Sequence, residues 1–439
     1  MLRLALPSML AQFVSVLYSI VDRIFIGNIP LIGETALAGV GICGPIVTLI
    51  TSFAYLVGIG GAPLMSIRMG EKNMEGARKV LANCFLLMLV ISSVLTVSVF
   101  LLKEKLLMWF GASEITFPYA NTYMGIYVLG TVFAVVSLGM NQFIICQGFA
   151  KVGMFSIVIG AVLNIILDPL FIFGFHMGVA GAAWATVLSQ VGSCIFVLKF
   201  LFGRSVQIPI SFGGYSKRIM RRVLTLGLSP FIIIALDSAL IIALNTVLQR
   251  YGGAKMGDQY VTCATIMQSF MLLVTMPLGG ITGGTQAILG YNYGARNSKR
   301  VIQGEKYIMA LSLIFTAVMF VVARTCSKYF VLLFTSNKAY IEMSIQSIKI
   351  FTLAIIPLGA QYVFVDGMTG MGIAKVAISL SIFRKTVYMA LMFLIPAVFG
   401  ITKVFYAEPV TDVVSVIVST VVYMALIGKI LHQREQSSS

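Results

Sequence analysis

Residues 163–190 read LNIILDPLFIFGFHMGVAGAAWATVLSQ. Two apolar runs meet here across the short connection FHMG at 175–178, so the stretch reads as the end of one membrane span and the start of the next. The first run carries Asn164 and Asp168, four residues apart and so on one helix face. A carboxylate at bilayer depth costs a few kcal/mol unless it is paired or neutralised, so Asp168 calls for a role. Working outward, every long segment repeats the pattern of apolar runs broken by charge, Gly or Pro. Each run has roughly 20 residues or more, enough for a helix rising about 1.5 Å per residue to cross about 30 Å of hydrocarbon.

Composition agrees. Hydrophobic residues make up 59% of the 439 residues, charged residues 10%, and the mean hydropathy is +0.98; ordinary globular domains carry about 25% charged residues. Spans are expected near 2–26, 35–67, 80–102, 118–146, 154–174 and 179–202, then near 223–249, 259–291, 306–323, 341–371, 377–399 and 405–430. The first is too long for a signal peptide, with Asp22 and Arg23 where a cleavage site needs small residues. With the N-terminus inside, nineteen Lys and Arg fall in inner connections and eight in outer ones, which places both termini in the cytoplasm. The net charge of +16 is thereby a matter of topology and not a nucleic-acid surface. Cys43, Cys84, Cys146, Cys194, Cys263 and Cys326 stand singly, as small buried thiols.

The chain repeats itself. LALPSMLAQFVSVLYSIVD at 4–22 aligns with LGLSPFIIIALDSALIIALN at 226–245, matching Pro7 to Pro230 and Asp22 to Asn245. GIGGAPLMSIRMGEKN at 58–73 matches GITGGTQAILGYNYGARN at 280–297, and CQGFAKVG at 146–153 matches GMGIAKVA at 370–377. The expected fold is an all-α membrane protein with twelve transmembrane helices in two pseudo-symmetric six-helix lobes around a central cleft. The lobes are placed at 1–202 and 223–431, with a cytoplasmic linker at 203–222 and a tail at 432–439. Repeats enclosing a site are common in transporters, though channels have them too.

Polar groups converge in the first lobe. Asp22 lies in the outer third of its span, Tyr123 near the outer end of the fourth and Thr186 in the outer half of the sixth, all at the depth of Asn164 and Asp168. Two carboxylates brought together in a low-dielectric site cannot both ionise easily, so the pair can bind and release a proton. The oxygens of Asp22, Asn164, Asp168 and Thr186 equally suit sodium, a hard cation. A plainer reading has Asp168 merely preceding Pro169 at a helix irregularity and Asp22 pairing with Arg23 at the interface. Pro7 removes a backbone hydrogen bond and can bend the first helix, either statically or with protonation of Asp22. The second lobe has Asp237 in mid-span and the i, i+4 pair Tyr362 and Asp366, which form either a second cation or drug site or, for Asp366, a solvated helix end. Glu408 and Asp412 read as helix-start caps. His176 and His432 make no metal or catalytic set, and no phosphate loop is present, so no enzyme, ATP coupling or cofactor is expected beyond a proton or sodium ion. Met and Phe in abundance suit a plastic cavity for flat cations.

These residues resemble the multidrug and toxic compound extrusion (MATE) family. The pattern LNxxLDPxF followed by GVxGAAxAT in 163–190 carries the resemblance, supported by ALPSML, YSIVDRIFIG, ALAGVG and YNYGARN; AEPVTD at 407–412 is similar to the DinF-like branch. The resemblance implies a two-lobed antiporter in a bacterial or archaeal plasma membrane, monomeric among lipids, exporting cationic amphipathic small molecules. It implies Asp22, Asn164, Asp168 and Thr186 as the coupling-ion site, with Tyr123 and Asn141 nearby and Pro7 as the bend. In the second lobe Asp237, Tyr362 and Asp366 approximate a set that some members build on Glu. A lipid-linked oligosaccharide flippase of the same superfamily, which would want a basic cavity, and a passive channel are the alternatives.

Overall fold

Long apolar runs without interior proline stay helical, and Gly, Asn and Pro mark where they stop. The computed structural model describes residues 2–110, 112, 114–203, 205–334 and 337–436; the side chains of residues 24, 34, 35, 38, 229, 233, 238, 242, 245, 246, 249, 253–259, 261, 262 and 374 lie outside the description. Asn245, the repeat partner of Asp22, is thus outside it, as are Arg204 and the side chain of Lys255. In the first half the helices are α1 (Leu2–Gly27), α2 (Gly33–Gly70), α3 (Met74–Trp109), α4 (Phe117–Leu129), α5 (Thr131–Cys146), α6 (Ala150–Pro169) and α7 (Val179–Leu201). Then come α8 (Lys217–Gly294), α9 (Ser298–Thr325), α10 (Ser327–Leu332), α11 (Lys338–Phe351), α12 (Ile355–Gly370), α13 (Ala374–Phe399) and α14 (Ala407–Gln436). Nine helices among the described residues are long and apolar enough to cross a membrane, or twelve when each of three bent pairs counts as one span. The chain is a multi-pass, all-helical membrane protein.

The differences from the expected spans have local causes. The fourth span bends by 58° between α4 and α5 at Gly130, and the tenth by 48° between α11 and α12. Helical hydrogen bonding runs on through 250–258, where an outer connection was expected. Prolines stand at 230 and 277 with none between, and glycines weaken a helix by only about 1 kcal/mol each. α1 passes through Pro7 as one element.

The chain divides into two compact units, Leu2–Ala235 and Leu236–Ser439 together with Met1. The division falls inside α8 because its start is bound to α2. A Cβ on Gly227 would lie 1.7 Å from the Leu56 carbonyl oxygen, and one on Gly60 would lie 2.3 Å from that of Val223. Phe53 packs edge-on against Phe231 at 4.8 Å. The segment at 203–222 is not a free linker. Ile208 donates its N–H to Gln147 at 2.9 Å and receives the Gln147 amide at 3.2 Å, while Asn83 bonds the Gly214 carbonyl and the Ser216 N–H. Val206, Ile208 and Ile210 are buried there, apolar side chains that a polar-linker reading passes over.

The repeat extends to backbone detail. After α2, Lys72 takes φ 59° and Asn73 caps α3 by accepting the Gly76 N–H; after α8, Arg296 takes φ 58° and Asn297 caps α9 by accepting the Arg300 N–H. Gly148 and Gly372 both take positive φ, at 91° and 78°, ending α5 and α12 alike. Two of the three bent spans fall fourth in their half, and the third bends by 44° at the start of α8, before Pro230.

Candidate cation site

α6 brings Asp168 to the depth of Asp22. Its last residue is Pro169, which cannot donate a backbone hydrogen bond, and a wider π turn follows over Leu170–Gly174; such turns recur at functional sites. α1 packs along α6. Asp168 is completely buried. The Asn164 amide donates to Asp168 Oδ1 at 3.2 Å, and the carboxyl groups of Asp22 and Asp168 face each other within hydrogen-bonding reach.

The oxygens left over define the chemistry. Asp22 Oδ1, Asp168 Oδ2 and the Asn164 side-chain oxygen are buried and have no donor. Buried acceptors are nearly always satisfied, and each orphan costs about 1–3 kcal/mol. Three in one place describe a pocket for a proton or a small hard cation. Among the described residues the ion pairs do not join Asp22 to Arg23, which is exposed, so interface pairing does not account for Asp22.

Tyr123 of α4 is buried beside this pair, in electrostatic contact with Asp22, and its hydroxyl bonds Thr186 of α7. Its ring stacks on Tyr127 at 6.1 Å, and Tyr127 in turn bonds Gln190, one helical turn below Thr186. Thr186 therefore reaches the carboxylates through Tyr123. Asn141 stands apart. Its side-chain oxygen abuts Gly153, fifteen residues before Asp168 on α6 and so about 22 Å away along the helix. Pro7 is separated from Asp22 by the same fifteen residues along α1.

In the second unit Tyr362 of α12 lies in electrostatic contact with Asp237, Asp366, Arg384 and Asp412, so the three expected residues share a neighbourhood. Asp366 is not a solvated helix end. Thr282 of α8 donates to it at 2.5 Å, and Gln286 also bonds it. Asp237 is ion-paired with Lys385. Glu408 and Asp412 are not caps, because both carboxylates bind Arg384 of α13. Arg384 and Lys385, adjacent bases inside a span, were the signal that such partners exist. Glu305 of α9, buried and bonded by the Tyr423 hydroxyl, escaped notice beside Lys306 at a span edge. Among the described residues no three His, Cys, Asp or Glu side chains converge as a metal centre.

Comparison with known proteins agrees with the geometry. The MatE family model matches residues 7–170 and 234–394. The multidrug export protein MepA of Staphylococcus aureus is 23% identical over 409 residues, 93% of this chain and 89% of its own. The structure of the MATE multidrug transporter DinF-BH is 32% identical, with a TM-score of 0.88 over 96% of this chain and 94% of that one. An outward-facing multidrug resistance MATE family transporter of the MOP superfamily is 23% identical and gives a TM-score of 0.91 over 98% of this chain and 95% of that one. Matched in both halves, the chain belongs to the MatE family, the multidrug and toxic compound extrusion transporters that its motifs resemble.

Proposed function

We propose that this chain is a secondary multidrug efflux transporter that exchanges cationic amphipathic molecules for a proton or sodium ion by alternating access. The observation that carries the reading is the buried meeting of Asp22 and Asp168 with three orphaned oxygens. A sodium ion satisfies all three at once and a proton satisfies one, and the arrival or departure of either changes the charge of a dry chamber by one unit. A two-state protein can shift only as far as its ligand's differential affinity allows, and a charge change in low dielectric supplies a large one. Asn164 orients Asp168 by its amide. Tyr123, held by Thr186, stands beside Asp22.

A proton needs only one of the orphaned oxygens, whereas sodium would use the Asp22, Asp168 and Asn164 oxygens together. In the sodium case the Thr186 hydroxyl, bonded to Tyr123, still has oxygen lone pairs to offer as a ligand. Pro7 supplies the bend through which α1 responds, and Asp237, Tyr362 and Asp366 offer a second cation or drug site. The acidic charge of the site favours cationic cargo over the pyrophosphate of a lipid-linked oligosaccharide. The relatives named for multidrug export support the same choice. The working location is the plasma membrane of a bacterium or archaeon, with both termini cytoplasmic and the protein monomeric.

The test is dye efflux from proteoliposomes carrying Asp22→Asn or Asp168→Asn. Loss of ion-driven efflux with the protein still folded in the membrane supports the site, and undiminished export by both variants rejects it.

A further inference from the structure

The second unit holds a charge array, most of it buried, that the Asp22–Asp168 reading does not use. α13 contributes Arg384, Lys385 and Tyr388, α14 contributes Glu408 and Asp412, α8 contributes Asp237, and α12 contributes Tyr362 and Asp366. Arg384 pairs with Glu408 and donates from Nη2 and Nε to a single oxygen, Asp412 Oδ1, at 2.8 and 3.1 Å. Lys385 pairs with Asp237. Tyr388 is in electrostatic contact with Glu408, Arg384, Asp237 and Asp412. Asp366 is held separately by Thr282 and Gln286.

Among the described residues three carboxylates (Asp237, Glu408, Asp412) thus face two cations (Arg384, Lys385), which leaves one negative charge over. Asp237 is half exposed beside Lys385, but Glu408 and Asp412, which share the single cation Arg384, have no such outlet to water. Asp412 is completely buried and its Oδ2 has no donor, while Met392 and Ile395 of α13 and Val404, Phe405 and Ala407 before Asp412 in the chain are buried together in one apolar cluster. An uncompensated charge in such a place either acquires a partner or is neutralised. A metal cation would need several open oxygens, but Arg384 already occupies those of Glu408 and Asp412 that face it. A proton needs one, and Asp412 Oδ2 is free. Ser415, three residues on along the same helix face, is also buried with its hydroxyl oxygen unpartnered, and offers an acceptor.

We propose that Glu408 and Asp412 share one proton beside Arg384, forming a proton-binding site in the second unit that is separate from the Asp22–Asp168 pair. Arg384 fixes the geometry and Lys385 neutralises Asp237, so the site holds one exchangeable proton. The inference stands independently of the proposed coupling site.

The experiment is infrared spectroscopy of purified protein in which Asp22→Asn and Asp168→Asn are already present, in sodium-free and in sodium buffer. In both buffers, adding Glu408→Gln or Asp412→Asn should remove the carboxylic-acid C=O intensity of one group. Adding Arg384→Gln should increase that intensity by one group. Glu408→Gln removes the carboxylate that makes the shared proton necessary and leaves Asp412 paired with Arg384, so it should unfold at or above the temperature of its parent, keeping one arm readable if another variant fails to fold. Unchanged intensity in folded Glu408→Gln, or in folded Asp412→Asn, would overturn the proposal. So would intensity that appears only when sodium is withdrawn, since the missing charge would then be a metal ion.

Discussion

Asp168→Asn tests the first-unit site with little disturbance to packing. Asn keeps the shape of Asp, and its amide brings two N–H donors into a pocket where Asp22 Oδ1 and the Asn164 oxygen lack them. Stability should therefore change by no more than about 1 kcal/mol, a hydrogen bond's worth in either direction. Transport should change far more. A pair that holds a single exchangeable cation implies one ion returned per monovalent dye cation exported, an electroneutral exchange. An imposed difference of one pH unit, or tenfold in sodium, then stores about 1.4 kcal/mol and sustains a roughly tenfold dye ratio across the membrane. In the variant the ratio should collapse toward one at every imposed gradient. The assay is the steady-state distribution of a fluorescent cation in proteoliposomes against gradient size, with thermal unfolding measured on the same preparation. A variant that unfolds like its parent and still holds the tenfold ratio would refute the reasoning.

Three further outcomes follow from the packing. Gly227→Ala places a methyl against the Leu56 carbonyl and should cost about 1–3 kcal/mol in thermal unfolding, whereas Gly44→Ala, with nothing within 4 Å, should not. Asn73→Ala and Asn297→Ala each remove an N-cap and should each cost about 1 kcal/mol, equal losses at equivalent places in the repeat. Gln147→Leu breaks both bonds to Ile208, so limited proteolysis should cut faster at 203–216 while cleavage elsewhere stays the same.

Much of this was legible in the residues because lipid is a strict solvent. Backbone groups must be satisfied within each span, so apolar runs could be read as helices, and Asp22, Asn164 and Asp168 stood out as polar groups that needed a reason to be there. Repeat offsets anticipated the matched turns at Lys72 and Arg296 and the matched glycines at 148 and 372. The bends at Gly130 and near 352–354 were not legible, because an apolar run looks the same whether straight or broken. Neither were partners distant in sequence. Glu408 and Asp412 look like caps beside their own helix start, and only folding brings Arg384, 24 and 28 positions earlier, between them. Asn141 was placed near the site by the family resemblance alone, with no depth or spacing behind it, and its side-chain oxygen lies against Gly153.

The most direct test of antiport is counterflow without any imposed ion gradient. Proteoliposomes loaded with an organic cation dye are diluted into dye-free buffer while internal pH and sodium are followed by separate indicators. Dye leaving should draw protons or sodium ions inward, close to one for one, and Asp168→Asn should abolish the ion movement. Dye crossing at an undiminished rate with neither ion moving would contradict antiport.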